Sequence, residues 1–325
     1  MTEEKDAAPL LTRAEAKLLD ASVIIYGESA TKKDAAFIAR ELIQASLPHR
    51  NPGAVPIWTR TNGNLTLAIQ PGADIATGKS YGYPYGTIPR LLLFWMTTEA
   101  LRNKNTENPR RLDLGHSLKD FMLELGLNPD NGSRGAKRSD AHRLNDQMNR
   151  FFNSVISFQR QGEAGEKTVT TRRNMLIAED IVFWWNTKNG ALASLGGSYI
   201  ELGQRFYEAI TAAAVPVDVR ALRALKGSAL DLDLYSWLTY EAFRASRTGK
   251  SRFETWDQLQ SHIGGNYGRI DNFRAKAKAA IRKIKVVYPG LKLGAKQGGI
   301  EVLPESLTAL QPRPANTIDG VCKTL

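Results

Sequence analysis

The chain has 325 residues, of which 42% are hydrophobic, and this length and composition allow two or three globular domains. Its single cysteine, Cys322, excludes an internal disulfide framework, and no apolar run reaches the roughly 18 residues that span a bilayer. The first residues are acidic and lack the apolar core of a signal peptide, so we expect a cytoplasmic protein. The formal net charge of +11 favours a polyanionic partner.

The positive charge is unevenly distributed along the chain. Residues 1–50 carry seven basic and eight acidic side chains, whereas residues 266–285 carry seven basic side chains and one acidic side chain. A second basic cluster consists of Arg134, Lys137, Arg138 and Arg143. Cations that cluster on particular elements indicate a nucleic-acid partner, although a solvated basic surface is the alternative interpretation.

The sequence of residues 1–85 predicts an N-terminal region of helices and one hairpin. Two residue pairs have the spacing of capping boxes, which begin helices: Thr12 with Glu15, and Thr31 with Asp34. The apolar spacing of residues 37–45 therefore predicts a helix after the second box. Apolar runs on both sides of the turn 61–64 predict a β-hairpin over residues 57–69.

The sequence of residues 86–190 predicts a first winged-helix domain. Pro89 suits the start of a helix over residues 90–103. A short strand, a short capped helix and a long helix are predicted at 111–114, 117–125 and 139–157. The strands of a β-wing are predicted at 155–160 and 168–184. Helix, helix and β-wing is the order of elements in a winged-helix relative of the helix-turn-helix DNA readers.

Residues 199–305 repeat this order after a small-residue linker at 189–198, and residues 306–325 are predicted to be a flexible tail. Helices are predicted at 201–213, 217–225, 229–246, 255–263 and 267–287, and a hairpin is predicted across 291–302. The predicted fold is therefore mostly α with small β-wings (α+β). It consists of two tandem winged-helix domains that follow the helical and hairpin N-terminal region.

The helix predicted at 267–287 carries the strongest signal for DNA reading. Its apolar stripe consists of Ile270, Phe273, Ala277, Ile281 and Ile284. On the opposite face, small residues at the centre permit close approach to a major groove, and the flanking cations reach phosphates. Asn272 can pair with adenine and Arg282 with guanine. The alternative is that Ala275 and Ala279 are only good helix formers on a solvated surface.

The predicted DNA contacts lie on the two long helices, in the loop before the first of them and in the second wing. In the first copy they are Arg134, Lys137, Arg138, Ser139, His142, Arg143, Asn149 and Arg150. In the second copy they are Arg269, Asn272, Ala275, Lys276, Lys278, Ala279, Arg282, Lys283 and Lys296. The second copy has the denser basic face, so we expect it to be the main base-reading unit.

Several stretches resemble the plasmid-encoded RepA-type replication initiators. They are YGYPYGTIPRLLLFW at 81–95, LKDFMLELGL at 118–127, RLNDQMNRFF at 143–152, SRFETWDQL at 251–259 and KIKVVYPG at 283–290. The resemblance covers roughly residues 80–305 and leaves the role of the first 80 residues open. It implies a bacterial protein that binds repeated origin sites (iterons) as duplex DNA and promotes local opening. It also implies recruitment of the host replication initiator and helicase, and copy control through exchange between homodimer and monomer.

Two classes of enzyme are alternatives to this interpretation. Residues 72–80 (GADIATGKS) resemble a phosphate-binding P-loop, but five residues separate the two glycines where four are required, and residues 81–86 cannot begin the helix that must follow. The four histidines are isolated, so neither a metal-dependent nicking site nor a zinc site is predicted. We therefore predict no catalytic residue, no metal and no cofactor. A transcription regulator that binds an operator without melting it is the nearest alternative.

Overall fold

The elements of the chain come from a computed structural model, which describes residues 12–131, 139–164, 167–183, 197–265 and 267–310. Helix accounts for 45% and strand for 23% of the structure, so the fold is mixed α+β with small sheets. The helices are α1 Arg13–Gly27, α2 Arg40–Gln44, α3 Thr87–Arg102, α4 Leu118–Glu124, α5 Asp140–Phe152, α6 Gln204–Ala212, α7 Val219–Leu225, α8 Ala229–Thr248, α9 Trp256–His262 and α10 Ile270–Val287. The strands are β1 Ala35–Ala39, β2 Trp58–Asn62, β3 Leu65–Gln70, β4 Arg111–Gly115, β5 Val155–Ala164, β6 Lys167–Leu176, β7 Ala178–Val182, β8 Ser198–Leu202, β9 Ala214–Asp218, β10 Arg252–Thr255 and β11 Gly299–Val302.

The same order of elements occurs twice. In the first half α3, β4, α4 and α5 follow one another, and in the second half α8, β10, α9 and α10 do so. The strand that follows the first helix of each set pairs with a strand from beyond the third helix, β4 with β8 and β10 with β11. In each half a further partner lies on the other side, which is β7 for β8 and an isolated bridge from Leu293 for β11. The predicted order of a short helix followed by a long helix is therefore present in both halves, and the strand pairings around it are a further similarity between the halves.

The sheets do not follow the predicted domain boundaries. The hairpin β2–β3 of the N-terminal region extends the hairpin β5–β6, which gives a four-stranded sheet of order β2-β3-β5-β6. β1 pairs antiparallel with β9 of the second half, and β8 pairs with strands of the first half. The predicted linker at 189–198 lies largely outside the described residues, and its last residue, Ser198, begins β8. The predicted tail is described only to residue 310.

Several predicted helix limits are wrong because strands replace the helical segment. Residues 37–45 form β1 and the short α2, since β1 finds its partner β9 far away in the sequence. The capping box of Thr31 and Asp34 is present but begins only a 3-10 turn of three residues. The helix predicted at 217–225 begins at Val219, after β9, and the helix predicted at 201–213 begins at Gln204, after β8. The helix predicted at 139–157 ends at Phe152, because Val155 begins β5.

The two predicted wings are also corrected in part. The pairing of 155–160 with 168–184 is confirmed as far as Leu176, where β6 ends. Residues 178–182 form β7 of another sheet, and residue 184 lies outside the described residues. In the hairpin predicted across 291–302, only residues 299–302 form a strand, and the main partner of this strand is β10.

One hydrophobic core connects both halves, and α3 lies inside it. Almost every side chain of α3 is buried, including Leu92, Leu93 and Met96, because this helix contacts β1, α5, α6 and α8. A helix that is apolar on all sides is typical of such a central position. The N-terminal α1 covers the second half by packing on α7 and α10.

A buried ion cluster joins α3 to α8. Arg90 of α3 donates through Nε and Nη2 to the two carboxylate oxygens of Asp233 in α8, each at 2.7 Å, and His49 Nε2 lies 2.8 Å from Asp233 Oδ2. We call these three residues the junction cluster. Burial raises the pKa of Asp233, but the charge of Arg90 and the hydrogen bonds from His49 and Arg90 outweigh it, so the pKa lies well below its usual value. The cluster thus carries a charged carboxylate at the junction between the two halves.

A second buried cation connects the four-stranded sheet to α9. Arg60 of β2 donates through Nη1 to Ser46 Oγ at 2.6 Å and to the backbone carbonyl oxygens of His262 and Ile263 at 3.4 and 3.3 Å. These carbonyls are at the C-terminal end of α9, where a positive charge is favourable. Burial lowers the pKa of Arg60 to about 10, which leaves it protonated at neutral pH.

Candidate nucleic-acid interface

The helix α10 is held by its apolar stripe. Phe273, Ala277, Ile281 and Ile284 are buried, as the sequence predicted, and they pack against α7, α8, α9 and α1. Ile270 is half-buried, and the ring of Tyr267 lies 5.5 Å from that of Phe273. Because one side of α10 is fixed in the core, its opposite side is presented to solvent.

The predicted DNA contacts of α10 share this exposed side. Asn272, Ala275, Lys276, Lys278, Arg282 and Lys283 are exposed, Ala279 is half-buried, and Arg269 is exposed at the N-cap position. The residues with the smallest side chains, Ala275 and Ala279, lie between the cations on the helical projection. The structure therefore brings the predicted residues of α10 together on one continuous face.

The cations of this face differ in their partners. Lys276, Lys278, Arg282 and Lys285 have no carboxylate within 4 Å among the described residues, and the ammonium group of Lys278 lies 5.9 Å from the ring centre of Trp256. Lys283 is held by Asp231 at 2.9 Å. The four unpaired cations are thus available to a polyanion, whereas Lys283 is engaged within the protein.

The sequence reasoning left two basic residues of α10 out of the predicted contacts. Arg274 is exposed and pairs with Asp271 at 3.1 Å, and Arg269 also approaches Asp271, at 3.6 Å. Lys285 is exposed beside Arg282 and has no such partner among the described residues. The count of basic residues over 266–285 included both omitted residues, so the projection of the whole helix would have placed Lys285 on the edge of the face.

Lys296 lies in the loop between the isolated bridge of Leu293 and β11. It is exposed, and its ammonium group is 4.2 Å from the ring centre of Phe253 in β10. The close approach of β11 to β10 depends on Gly299, because a Cβ at that position would overlap the carbonyl oxygen of Glu254. This loop therefore presents one cation beside a tightly packed sheet of three segments.

The first copy presents its predicted contacts differently. Arg134, Lys137 and Arg138 lie outside the described residues. Ser139 is buried, and its hydroxyl caps α5 by accepting a hydrogen bond from the backbone N–H of His142 at 3.2 Å. Asn149 is half-buried, and its backbone carbonyl oxygen accepts a hydrogen bond from the Asn153 side chain. The hydroxyl of Ser139 therefore serves as a helix cap.

The remaining predicted cations of α5 are paired with acidic residues. Arg143 is exposed and pairs with Asp140 at 3.1 Å, and Arg150 pairs with Asp146 at 2.8 Å. The guanidinium group of Arg150 also lies 5.6 Å from the ring centre of Tyr85, so it packs against the loop before α3. His142 is exposed. The exposed face of α5 therefore carries less unpaired positive charge than that of α10.

Two arginines of β6 were missed by the sequence reasoning. Arg172 and Arg173 are both exposed, and Arg172 donates to Gln159 Oε1 of β5 at 3.2 Å. Side chains alternate along a strand, so the two arginines leave opposite faces of the hairpin. The two adjacent arginines in the sequence were the signal that could have indicated this basic site.

The segment that resembles a P-loop has another conformation. Ala73 and Ser80 form an antiparallel bridge, and the carboxylate of Asp74 accepts hydrogen bonds from the backbone N–H groups of Ala76 and Thr77. The next helix, α3, begins only at Thr87. The helix N-terminus that a phosphate would need directly after Lys79 is therefore not formed.

Neither a metal-binding group of side chains nor a membrane-spanning helix is found among the described residues. No group of three or more His, Cys, Asp or Glu side chains among the described residues is arranged to hold a metal ion. Among the helices of those residues, none has both the length and the apolarity to cross a bilayer.

The family of the chain follows from its sequence match. The family model described as plasmid-encoded RepA protein matches residues 83–258, which is more than half of the chain. This chain is a plasmid-encoded RepA protein by family. The match confirms the resemblance of the predicted stretches between α3 and α9, and RepA membership points to a replication initiator.

The chain is less similar to other known proteins. No curated protein shows significant sequence similarity to the chain. Among solved structures, the crystal structure of RctB domains 2-3 (RctB-155-483) is similar to this chain, with a TM-score of 0.40 and 10% sequence identity. The similarity covers 80% of this chain and 94% of the RctB chain.

Proposed function

We propose that this RepA protein initiates plasmid replication by binding repeated origin sites as duplex DNA. The exposed face of α10 carries this proposal, because small residues at its centre are flanked by Lys276, Lys278 and Arg282, which have no carboxylate within 4 Å in the part of the chain that the structure describes. A helix of this kind fits the major groove, with Asn272 and Arg282 in reach of base edges and Lys276 and Lys278 in reach of phosphates. No cofactor and no catalytic step are part of the proposed action.

The repeated order of elements supports two winged-helix domains. In the second, α9 and α10 form the helical pair, and the loop that carries Lys296 is the wing. In the first, α4 and α5 form the pair, and the exposed His142 and Arg143 contact the DNA backbone. Two linked readers engage successive major grooves of one site, and the linkage raises the effective concentration of the second reader.

The proposed mechanism uses binding energy to deform DNA. Several protomers on adjacent repeats bend and untwist the duplex, and the stored strain favours opening of a neighbouring A·T-rich segment. The protein then recruits the host replication initiator and helicase, and its homodimer and monomer exchange to control copy number. These steps take place in the bacterial cytoplasm, where plasmid DNA is replicated.

Footprinting combined with a probe of single-stranded thymines tests this function. Purified protein is added to supercoiled DNA that flanks its gene, and we expect repeated protected sites together with reactive thymines in an adjacent A·T-rich segment. The variant Arg282→Ala should weaken binding to the repeats by about 1–3 kcal/mol while binding to random DNA changes less. Lys104→Ala, an exposed lysine beyond the end of α3, is the matched control.

The same assay separates initiation from the alternative of operator binding. Protected sites that stay fully duplex when host replication proteins are present would refute the initiator proposal and leave a transcription regulator. Equal losses for Arg282→Ala on repeat and random DNA would show that Arg282 contacts a phosphate and does not read a base.

A further inference from the structure

A surface groove at the C-terminal end of α8 combines an apolar floor with basic edges. It has a volume of about 530 Å³ and lies between α8, β9, the start of β10 and the last described residues. Val215, Pro216, Phe243 and Leu310 contribute apolar surface to it. Phe243 is 44% exposed, which is a large apolar area for a helix side chain to present to water.

The edges of the groove carry more positive than negative charge. Four arginines line it: Arg40, Arg244, Arg247 and Arg252. Glu241 accepts hydrogen bonds from both Arg244, at 2.8 Å, and Arg252, at 3.1 Å, while Glu41 accepts one from Arg40 at 3.2 Å. Two carboxylates therefore pair with three of the four guanidinium groups. Arg247 is exposed and has no carboxylate within 4 Å among the described residues.

This combination differs from the face proposed for DNA. The exposed face of α10 has small and polar residues at its centre, whereas the groove has a phenylalanine and a proline there. A phosphate backbone makes no use of an apolar floor, but a peptide with an apolar anchor does. Lys283 of the DNA face reaches Asp231 at the N-terminal end of α8, whereas the groove lies at the C-terminal end of this 20-residue helix. DNA and a ligand in the groove can therefore bind at the same time.

We propose that the groove binds an acidic peptide segment of a partner protein, with a leucine or aromatic side chain against Phe243 and carboxylates beside Arg247 and Arg252. The complementary charge argues for this occupant. The chain's own residues 311–325 contain Arg313, Lys323 and only one acidic residue, Asp319, so they lack the required negative charge. The groove would be the place where the protein recruits a partner, and in this respect the proposal rests on the proposed function.

Fluorescence anisotropy with three labelled 14-residue peptides tests the proposal on the full chain. The probe alternates Asp or Glu with Leu or Phe, the first control replaces its acidic residues with lysine, and the second replaces its apolar residues with serine. We expect binding of the probe alone. Arg247→Glu and Phe243→Ser should each weaken it about tenfold or more. Arg205→Glu, an exposed arginine on α6 that does not line the groove, should leave it unchanged.

Binding of labelled duplex DNA by the same variants separates this inference from the proposed function. We expect Arg247→Glu and Phe243→Ser to retain DNA binding. If the acidic probe does not bind, binds as well with serine in place of its apolar residues, or is indifferent to both substitutions, the proposal is wrong. If the two variants lose DNA binding and keep probe binding, the groove is part of the DNA surface and the proposal is also wrong. A wild-type chain that binds the probe but no DNA would refute the proposed function and leave the groove assignment standing.

Discussion

The substitution Asp233→Asn tests the junction cluster that joins the two halves of the fold. Arg90 is 2% exposed, and both of its hydrogen bonds to Asp233 are short. Asparagine keeps the shape of the side chain but removes its charge and turns an NH₂ group toward a donor of Arg90. We expect a large loss of stability, because the guanidinium group stays buried without its counter-ion.

The structure sets the size of that loss. Removing one partner of a buried ion pair costs about 3–5 kcal/mol. Arg90 would keep hydrogen bonds to the backbone carbonyl oxygens of Leu47, Pro48 and Gly86, so we expect the lower end, about 3 kcal/mol. At about 2 °C per kcal/mol for a chain of this size, Tm should fall by roughly 6 °C.

Thermal unfolding at neutral pH, followed by circular dichroism, measures this change. Asp20→Asn, an exposed aspartate of α1, is the matched control and should leave Tm nearly unchanged. The double variant Arg90→Met with Asp233→Leu removes both charges and should be more stable than Asp233→Asn. A Tm for Asp233→Asn within about 1 °C of the control would refute the reasoning, because the pair would then contribute no more than a surface pair.

Three further predictions concern salt, pH and packing. Lys276→Ala should reduce the slope of log K for DNA against log salt by about 0.9, and Lys104→Ala should not change it, as titrations at several salt concentrations will show. Burial lowers the pKa of His49, so the unfolded chain binds the extra proton, and stability should fall as pH drops below about 6.5. Tm at pH 7.5 and 5.5 measures this, and His49→Gln should reduce the difference. Gly299→Ala should lower Tm because its Cβ would overlap the Glu254 carbonyl oxygen, whereas Gly268→Ala meets no atom within 4 Å and should not; equal Tm values would contradict the packing argument.

Elements with local signals were predictable from the sequence. Pro89 and the caps of Ser117 and Thr255 marked helices close to their observed starts, because a capping hydrogen bond joins residues only two or three positions apart. The stripe of α10 was equally clear, since its apolar period matches the helix over five turns.

The strands that pair across the chain were not predictable in this way. Ala35–Ala39 has a spacing compatible with a helix, and only its partner β9 makes it a strand. The same applies to Ser198–Leu202, which needs both β4 and β7. Strand formation depends on the neighbouring strands of the sheet. A single sequence does not show which distant segments supply those neighbouring strands.

The pairing of charges was not predictable from the sequence, and it increases the expected difference between the two long helices. The projection of α5 placed Arg143 and Arg150 among the predicted DNA contacts, as the projection of α10 did Arg282. In the structure both arginines of α5 have carboxylate partners three or four residues away, and binding a phosphate would have to displace them. The four unpaired cations of α10 would instead give a salt slope of about 3.6 if each neutralised one phosphate. Affinity should therefore depend mainly on α10, while α5 contributes position along the site, and charge removal on α5 should change the salt slope less than the same change on α10.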